Sequence, residues 1–246
     1  MRGNPDYGMV EAAGVGYVAP DVLEQIARSG GPLWADATGR ALLVEVCRNG
    51  LGRWRRAQGD SLVPAYLDAN RGLASPFAII LTDDCTGTDG CRMEAAVYAV
   101  LDKALGVEAW IQDQYLNVQM TAYAEVYTGQ SRLTGGWAWN AATEQVLLIS
   151  TDGALVDSGC VLPQASTLSG YVPVKVTFDP AAGLYVSLFV NGVETDVSAV
   201  PTASAADTGL PAVKAGLSAV SLDAEEAAGY CGAYLLTTAE PTLPVT

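Results

Sequence analysis

Any chemistry in this chain has to come from carboxylates, thiols, tryptophans and arginines, because its 246 residues include no histidine. That absence removes the usual general base, the usual proton switch near neutrality and the commonest metal ligand. A Ser-His-Asp or Cys-His relay cannot be assembled within the chain. Its five cysteines (Cys47, Cys85, Cys91, Cys160 and Cys231) are odd in number and show no repeated C-x-x-C spacing. That pattern fits neither a complete disulfide framework nor a zinc site. The expectation is reduced, partly buried thiols, with a Cys85–Cys91 bridge across a short polar loop as the alternative in an oxidising setting.

Three other groupings bear on binding. The stretch 83–89, Asp-Asp-Cys-Thr-Gly-Thr-Asp, gathers three carboxylates and two hydroxyls. Calcium takes oxygen donors of this kind, but the spacing is not that of an EF-hand, and acidic turns commonly hold no metal. No cofactor is therefore expected, and calcium is kept as the alternative. Trp137, Trp139 and Asn140 lie where a strand would project both indoles from one face, which suits either stacking on a sugar ring or filling a core. Arg48, Arg53, Arg55 and Arg56 surround Trp54 in an otherwise acidic chain, as a subunit-contact patch or a solvated hairpin tip would.

The charge distribution narrows the partners. The net charge is −14; residues 1–133 hold 16 acids and 11 bases, whereas residues 134–246 hold 11 acids against only Lys175 and Lys214. An acidic surface of this kind repels nucleic acid and anionic membrane, and it suits a basic partner or plain solubility. No uncharged stretch is long and apolar enough to span a bilayer. The first residues contain no apolar run of signal-peptide type, so the expectation is a protein without leader or anchor. Half of the residues are hydrophobic and mean hydropathy is +0.23. The composition thus provides a large core and hints at apolar surface covered by other subunits.

The elements that must position these groups read as strands. Residues 1–30 form an N-terminal arm carrying a short helix over 20–29, residues 31–238 a β-sandwich domain, and residues 239–246 an extended surface tail. The run 41–47 is β-branched and closes at Asn49-Gly50, a dipeptide that supplies the positive φ of a tight hairpin. Residues 61–72 read as a helical connector of one or two turns, and residues 76–82 as a buried strand. The stretch 93–105 carries both a four-residue repeat and an alternation, and its neighbours favour strand. Residues 107–127 read as two paired strands, and residues 135–140 and 144–151 continue the pattern.

The clearest signal lies late in the chain. Val172, Val174, Val176 and Phe178 alternate with Pro173, Lys175, Thr177 and Asp179, the period of a half-buried strand. A turn over 179–183 leads into LYVSLFV, and Asn191-Gly192 turns the chain again into VETDV. Two more strands follow around 212–220 and 230–237. Sequential short strands with few helices predict an all-β chain folded as an antiparallel two-sheet jelly-roll sandwich.

The run VPVKVTFDPAAGLYVSLFVNGVETDV resembles the late strands of concanavalin A-like (laminin G-like) domains, and GLPAVKAGLSAV with GYCGAYLLTTAEPT resembles their closing strands. The resemblance covers about residues 170–240 and implies the sandwich fold found in lectins, glucanases and bacteriophage virion proteins. The glucanases of this fold carry a Glu-x-Asp-x-x-Glu strand motif; here Glu194-Thr195-Asp196 lacks the third carboxylate and borders a turn. A glycoside hydrolase is accordingly disfavoured, and the two acids are expected to face solvent. The leading expectation is a non-enzymatic virion protein, a bacteriophage capsid decoration (cement) or tail-associated protein. Its partners would be other virion proteins and copies of itself. A carbohydrate-binding, lectin-like module with glycans as partners is the alternative.

Overall fold

The computed structural model describes residues 9–12, 15–18, 40–45, 54–56, 66–68, 78–83, 91–97, 103–113, 117–223, 227–238 and 240. The expected helix over 20–29 and the Asn49-Gly50 turn lie outside these residues.

Two antiparallel sheets carry the fold. The first runs in the order β12 (Leu155–Val161), β11 (Gln145–Ile149), β10 (Ser131–Asn140), β9 (Val118–Tyr127), β17 (Ala212–Ser221), β7 (Cys91–Val97) and β4 (Arg55–Arg56). Strand β16 (Ala203–Ala206) also pairs with β10, beyond the end of β11. The second runs β15 (Val193–Asp196), β14 (Leu184–Val190), β13 (Val172–Asp179), β8 (Leu105–Asp113), β18 (Ala227–Thr238), β6 (Ala78–Asp83) and β5 (Tyr66–Asp68), with β3 (Arg40–Glu45) on β18. A separate hairpin pairs β1 (Met9–Ala12) with β2 (Val15–Val18). The chain passes repeatedly from one sheet to the other, which gives the expected antiparallel two-sheet jelly-roll sandwich.

Alternation decides which side chains enter the core. Val118, Met120, Ala122, Ala124 and Val126 of β9 face inward, as do Val213, Ala215, Leu217 and Ala219 of β17. Opposite them stand Val172, Val174, Val176 and Phe178 of β13, with Tyr234 and Leu236 of β18. Gly135 leaves room for a ring, since a Cβ there would lie 2.6 Å from Phe178.

Two tyrosines tie the sheets together through the core. Tyr185 of β14 reaches β10, where its hydroxyl accepts from Gly136 N at 2.9 Å and lies 2.8 Å from Gly136 O and 2.7 Å from Ile149 O. Gly136 sits in the gap along β10 between the last β11 pair, Trp137↔Leu148, and the first β16 pair, Thr134↔Ala203, and Ile149 is the last residue of β11 beside it. Tyr234 of β18 donates to Tyr123 O of β9 at 2.7 Å.

Several sequence expectations change. Strands β8 and β9 both form, but each joins a different sheet, so residues 107–127 are a crossing of the sandwich and not a hairpin. Alternation reports a half-buried strand but not which neighbour it takes. Within the expected helical connector, Tyr66–Asp68 is a strand paired with β6. Residues 93–97 are strand, as the neighbourhood favoured. Strand β12 and the short helix α1 (Gln164–Ser169) were not anticipated. Glu240, expected on a surface tail, is 4% exposed.

Candidate functional site

The outer face of the first sheet gathers charge and aromatic surface. Because β9 sends its alanines and valines inward, Thr121, Tyr123, Glu125 and Tyr127 stand on the opposite face. Register places them in rows across the sheet. One row runs Gly136, Tyr123, Gly216, Glu94 and Arg55; the next runs Thr134, Glu125, Lys214 and Ala96; a third holds Arg132, Tyr127 and Ala212.

Glycine shapes the first row. A Cβ on Gly216 would fall 2.0 Å from Tyr123 Cζ, so the Tyr123 ring lies flat across the neighbouring strand. Its hydroxyl thereby reaches Glu94 Oε1 at 3.4 Å. Arg92 meets the same oxygen at 2.6 Å, and Lys214 lies 4.0 Å from Glu94 Oε2. Lys214 also donates to the Tyr127 hydroxyl at 3.1 Å and stands 4.7 Å from that ring's centre. Tyr127 donates to Glu125 Oε2 at 2.6 Å, and Arg132 approaches Glu125 Oε1 at 3.6 Å.

The titrations follow from this packing. Burial is the main force that pushes the Tyr123 phenol far above its usual range. Lys214 is held above the ordinary lysine value, first by its hydrogen bond to Tyr127 and then, against a burial cost, by attraction to Tyr127, Glu94 and Glu125. Arg132 is raised first by its hydrogen bond to Tyr127.

Beside the charged rows lies a half-open cavity of about 320 Å³. Arg132 and Thr134 of β10, Ala203, Ser204 and Ala205 of β16, and Ile149, Asp152 and Gly153 line it. The 3₁₀ turn Thr151–Gly153 holds Asp152 and Gly153 in left-handed backbone, φ 58° and 77°. Tyr123, Ile149 and Ala203 form a buried apolar patch on this side. An apolar base with an arginine, a carboxylate and two hydroxyls at the rim suits a small polar ligand with one apolar face. The two carboxylates Glu94 and Glu125 come from strands separated by β17, and their oxygens are engaged by tyrosine hydroxyls and cations of the protein itself.

The sites expected from sequence fare differently. Trp137 and Trp139 do share a face, but it is the inner one: both are 0% exposed, and Trp139 Nε1 donates to Leu162 O at 3.0 Å. They are core residues and offer no platform to a sugar. Asn140 is half-buried, and its Oδ1 accepts from Thr143 N at 3.1 Å in a turn. Trp54 is also corrected from contact residue to core residue; it is 4% exposed, with its ring edge-on to Tyr234 at 5.1 Å. Arg55 is exposed on β4 and Arg56 follows it there, while Arg48 and Arg53 lie outside the described residues. Of the calcium candidate only Asp83 is described, as the last residue of β6. Among the described residues no three metal-ligating side chains come together. Glu194 and Asp196 are exposed; Glu194 accepts from Ser187 Oγ at 2.7 Å, and Asp196 from Ser198 N at 2.9 Å.

The tyrosine-carboxylate rows were missed. The available signal was local: TAYAEVY alternates aromatic and acidic side chains with small apolar ones. The residues that complete the site, Glu94, Arg132 and Lys214, come from other strands.

No protein-family model matches the chain, and no curated protein matches it. Among solved structures it is similar to a prokaryotic β-1,3-1,4-glucanase (lichenase) derived from a mouse hindgut metagenome, with TM-score 0.48 and 10% identity over 79% of this chain and 98% of that one. It is similar to a Bacillus licheniformis β-glucanase, with TM-score 0.45 and 15% identity over 82% and 99%. It is also similar to the CBM2 module of an evolved Dit from Lactobacillus casei BL23 phage J-1, with TM-score 0.43 and 10% identity over 82% and 97%. Likeness at this level assigns neither activity nor ligand.

Proposed function

We propose that the protein is a non-enzymatic structural component of a bacteriophage particle, a capsid-decoration or tail-associated sandwich that works through protein–protein contacts. The observation that carries this reading is a pair of edge strands, on one side of the sandwich, that expose apolar side chains. Strand β12 ends the first sheet and β15 ends the second, and the two meet where Cys160 Sγ donates to Thr195 Oγ1 at 3.2 Å. On these edges Leu155, Val156, Val161 and Val193 are 38%, 40%, 58% and 68% exposed. Edge strands with exposed apolar side chains are ready templates for a neighbouring subunit. The test is size-exclusion chromatography with light scattering across a concentration series. Association that is lost in the double variant Val161→Asp/Val193→Asp is the expected result. A wild-type chain that stays monomeric at every concentration counts against the reading.

A second reading rests on the cavity beside Arg132. Its apolar patch and polar rim suit a sugar ring, which makes a carbohydrate-binding module the alternative. A glycan array run with and without calcium separates the two. Binding that is lost in Arg132→Ala and retained in Val161→Asp/Val193→Asp would favour the module.

A further inference from the structure

The outer face of the second sheet hides a lysine beside two carboxylates. Lys175 of β13 is 1% exposed, and its Nζ lies 2.8 Å from Oε1 of Glu240, whose side chain is 0% exposed. Thr237 Oγ1 also donates to Glu240 Oε1. The Glu240 backbone is pinned in turn, its N–H donating to Ala104 O at 3.3 Å. All three side chains converge over Gly106, where a Cβ would lie 2.4 Å from Thr237 Oγ1, 2.6 Å from Glu240 Oε1 and 2.8 Å from Lys175 Cε. Glu108 is the cross-strand neighbour of Lys175 and is 2% exposed. Its Oε1 is oriented by Trp110 Nε1 at 2.8 Å.

We propose that Lys175 and Glu240 join in an intramolecular amide bond, with Glu108 as the proton carrier. An amine and a carboxylic acid do not condense readily in bulk water. Here they are held in contact, which replaces the entropy of bringing them together. The site also excludes the water that would favour the reverse reaction, and the product removes two buried charges that are costly to keep dry. Proton transfer within the pair gives amine and acid. Nζ then attacks Cδ of Glu240, and the N–C bond forms as Glu108 takes a proton from nitrogen. Thr237 Oγ1 donates to the oxygen that gains negative charge. The C–O bond breaks as Glu108 returns that proton to the departing hydroxyl, so one water leaves, Glu108 regains its starting state and no redox partner is required. The bond would tie β13 to the segment beyond β18, closing a loop across the second sheet.

Mass spectrometry of the purified full chain decides the matter. The expected intact mass is one water below that of the sequence. A tryptic digest should yield a branched peptide joining Lys175 to Glu240, with no cleavage after Lys175. Lys175→Met and Glu240→Ala should carry the full mass of their sequences. Glu108→Gln, with folding checked by circular dichroism, should accumulate uncrosslinked chain. A wild-type protein at full mass, or a missing water mapped to another pair, overturns the bond. Complete cross-linking in Glu108→Gln overturns the role given to Glu108.

Discussion

Replacing Tyr185 with phenylalanine removes one oxygen from the middle of the sandwich, and the structure sets what that should cost. The ring itself stays, packed edge-on to Phe178 at a centroid distance of 6.2 Å, so little apolar contact is lost. What is lost is the hydroxyl that reaches Gly136 N, Gly136 O and Ile149 O from the core side, at 2.9, 2.8 and 2.7 Å. Ordinary hydrogen bonds contribute about 1 kcal/mol each, but a buried backbone group left without its partner costs about 1–3 kcal/mol. With more than one group affected, Tyr185→Phe should destabilise the protein by about 2–4 kcal/mol. For a chain of this length, that corresponds to a fall of roughly 5–15 °C in Tm. The assay is equilibrium urea unfolding followed by tryptophan fluorescence, where the midpoint should drop with little change in slope. A loss below about 0.5 kcal/mol, within the range of an ordinary surface substitution, would refute the claim that this hydroxyl fills the gap between β11 and β16.

Other outcomes follow from the same packing. Burial raises the phenols of Tyr123, Tyr185 and Tyr234. Above the unfolded value, about 10, the unfolded chain gives up protons that the native state retains, so stability present below that pH should fall as pH rises through it; Tyr234→Phe should flatten the alkaline limb of a stability–pH curve. Gly216→Ala places a methyl group against the Tyr123 ring and should cost about 1–3 kcal/mol in denaturant unfolding, with near-ultraviolet dichroism reporting the ring's displacement. Trp137→Ala should destabilise by about 3–5 kcal/mol, because the indole is a core residue; a glycan-binding change at unaltered stability would contradict its burial.

The sequence by itself determined the strands wherever apolar residues alternate, although β13, expected to be half-buried, is buried on both faces. Val174, Val176 and Phe178 announce β13, and Asn191-Gly192 announces the turn from β14 to β15 with φ of 50° and 80°, because pleat and backbone sterics act over a few residues. It also determined that Glu194 and Asp196 face solvent, and that no histidine-based catalysis is possible. Only the tertiary structure decided which way a strand's faces point. The indoles of Trp137 and Trp139 look alike as a binding platform or as core, since alternation is symmetric and burial depends on the opposing sheet. The same holds for Lys175, a solvent-facing alternate by pattern, which is buried because Glu240 returns over that face from far along the chain. The tyrosine-carboxylate rows likewise exist only because β7, β9, β10 and β17 become neighbours. Local chemistry fixes what each segment can be, while long-range pairing, set by the burial of the whole core, fixes what each side chain meets.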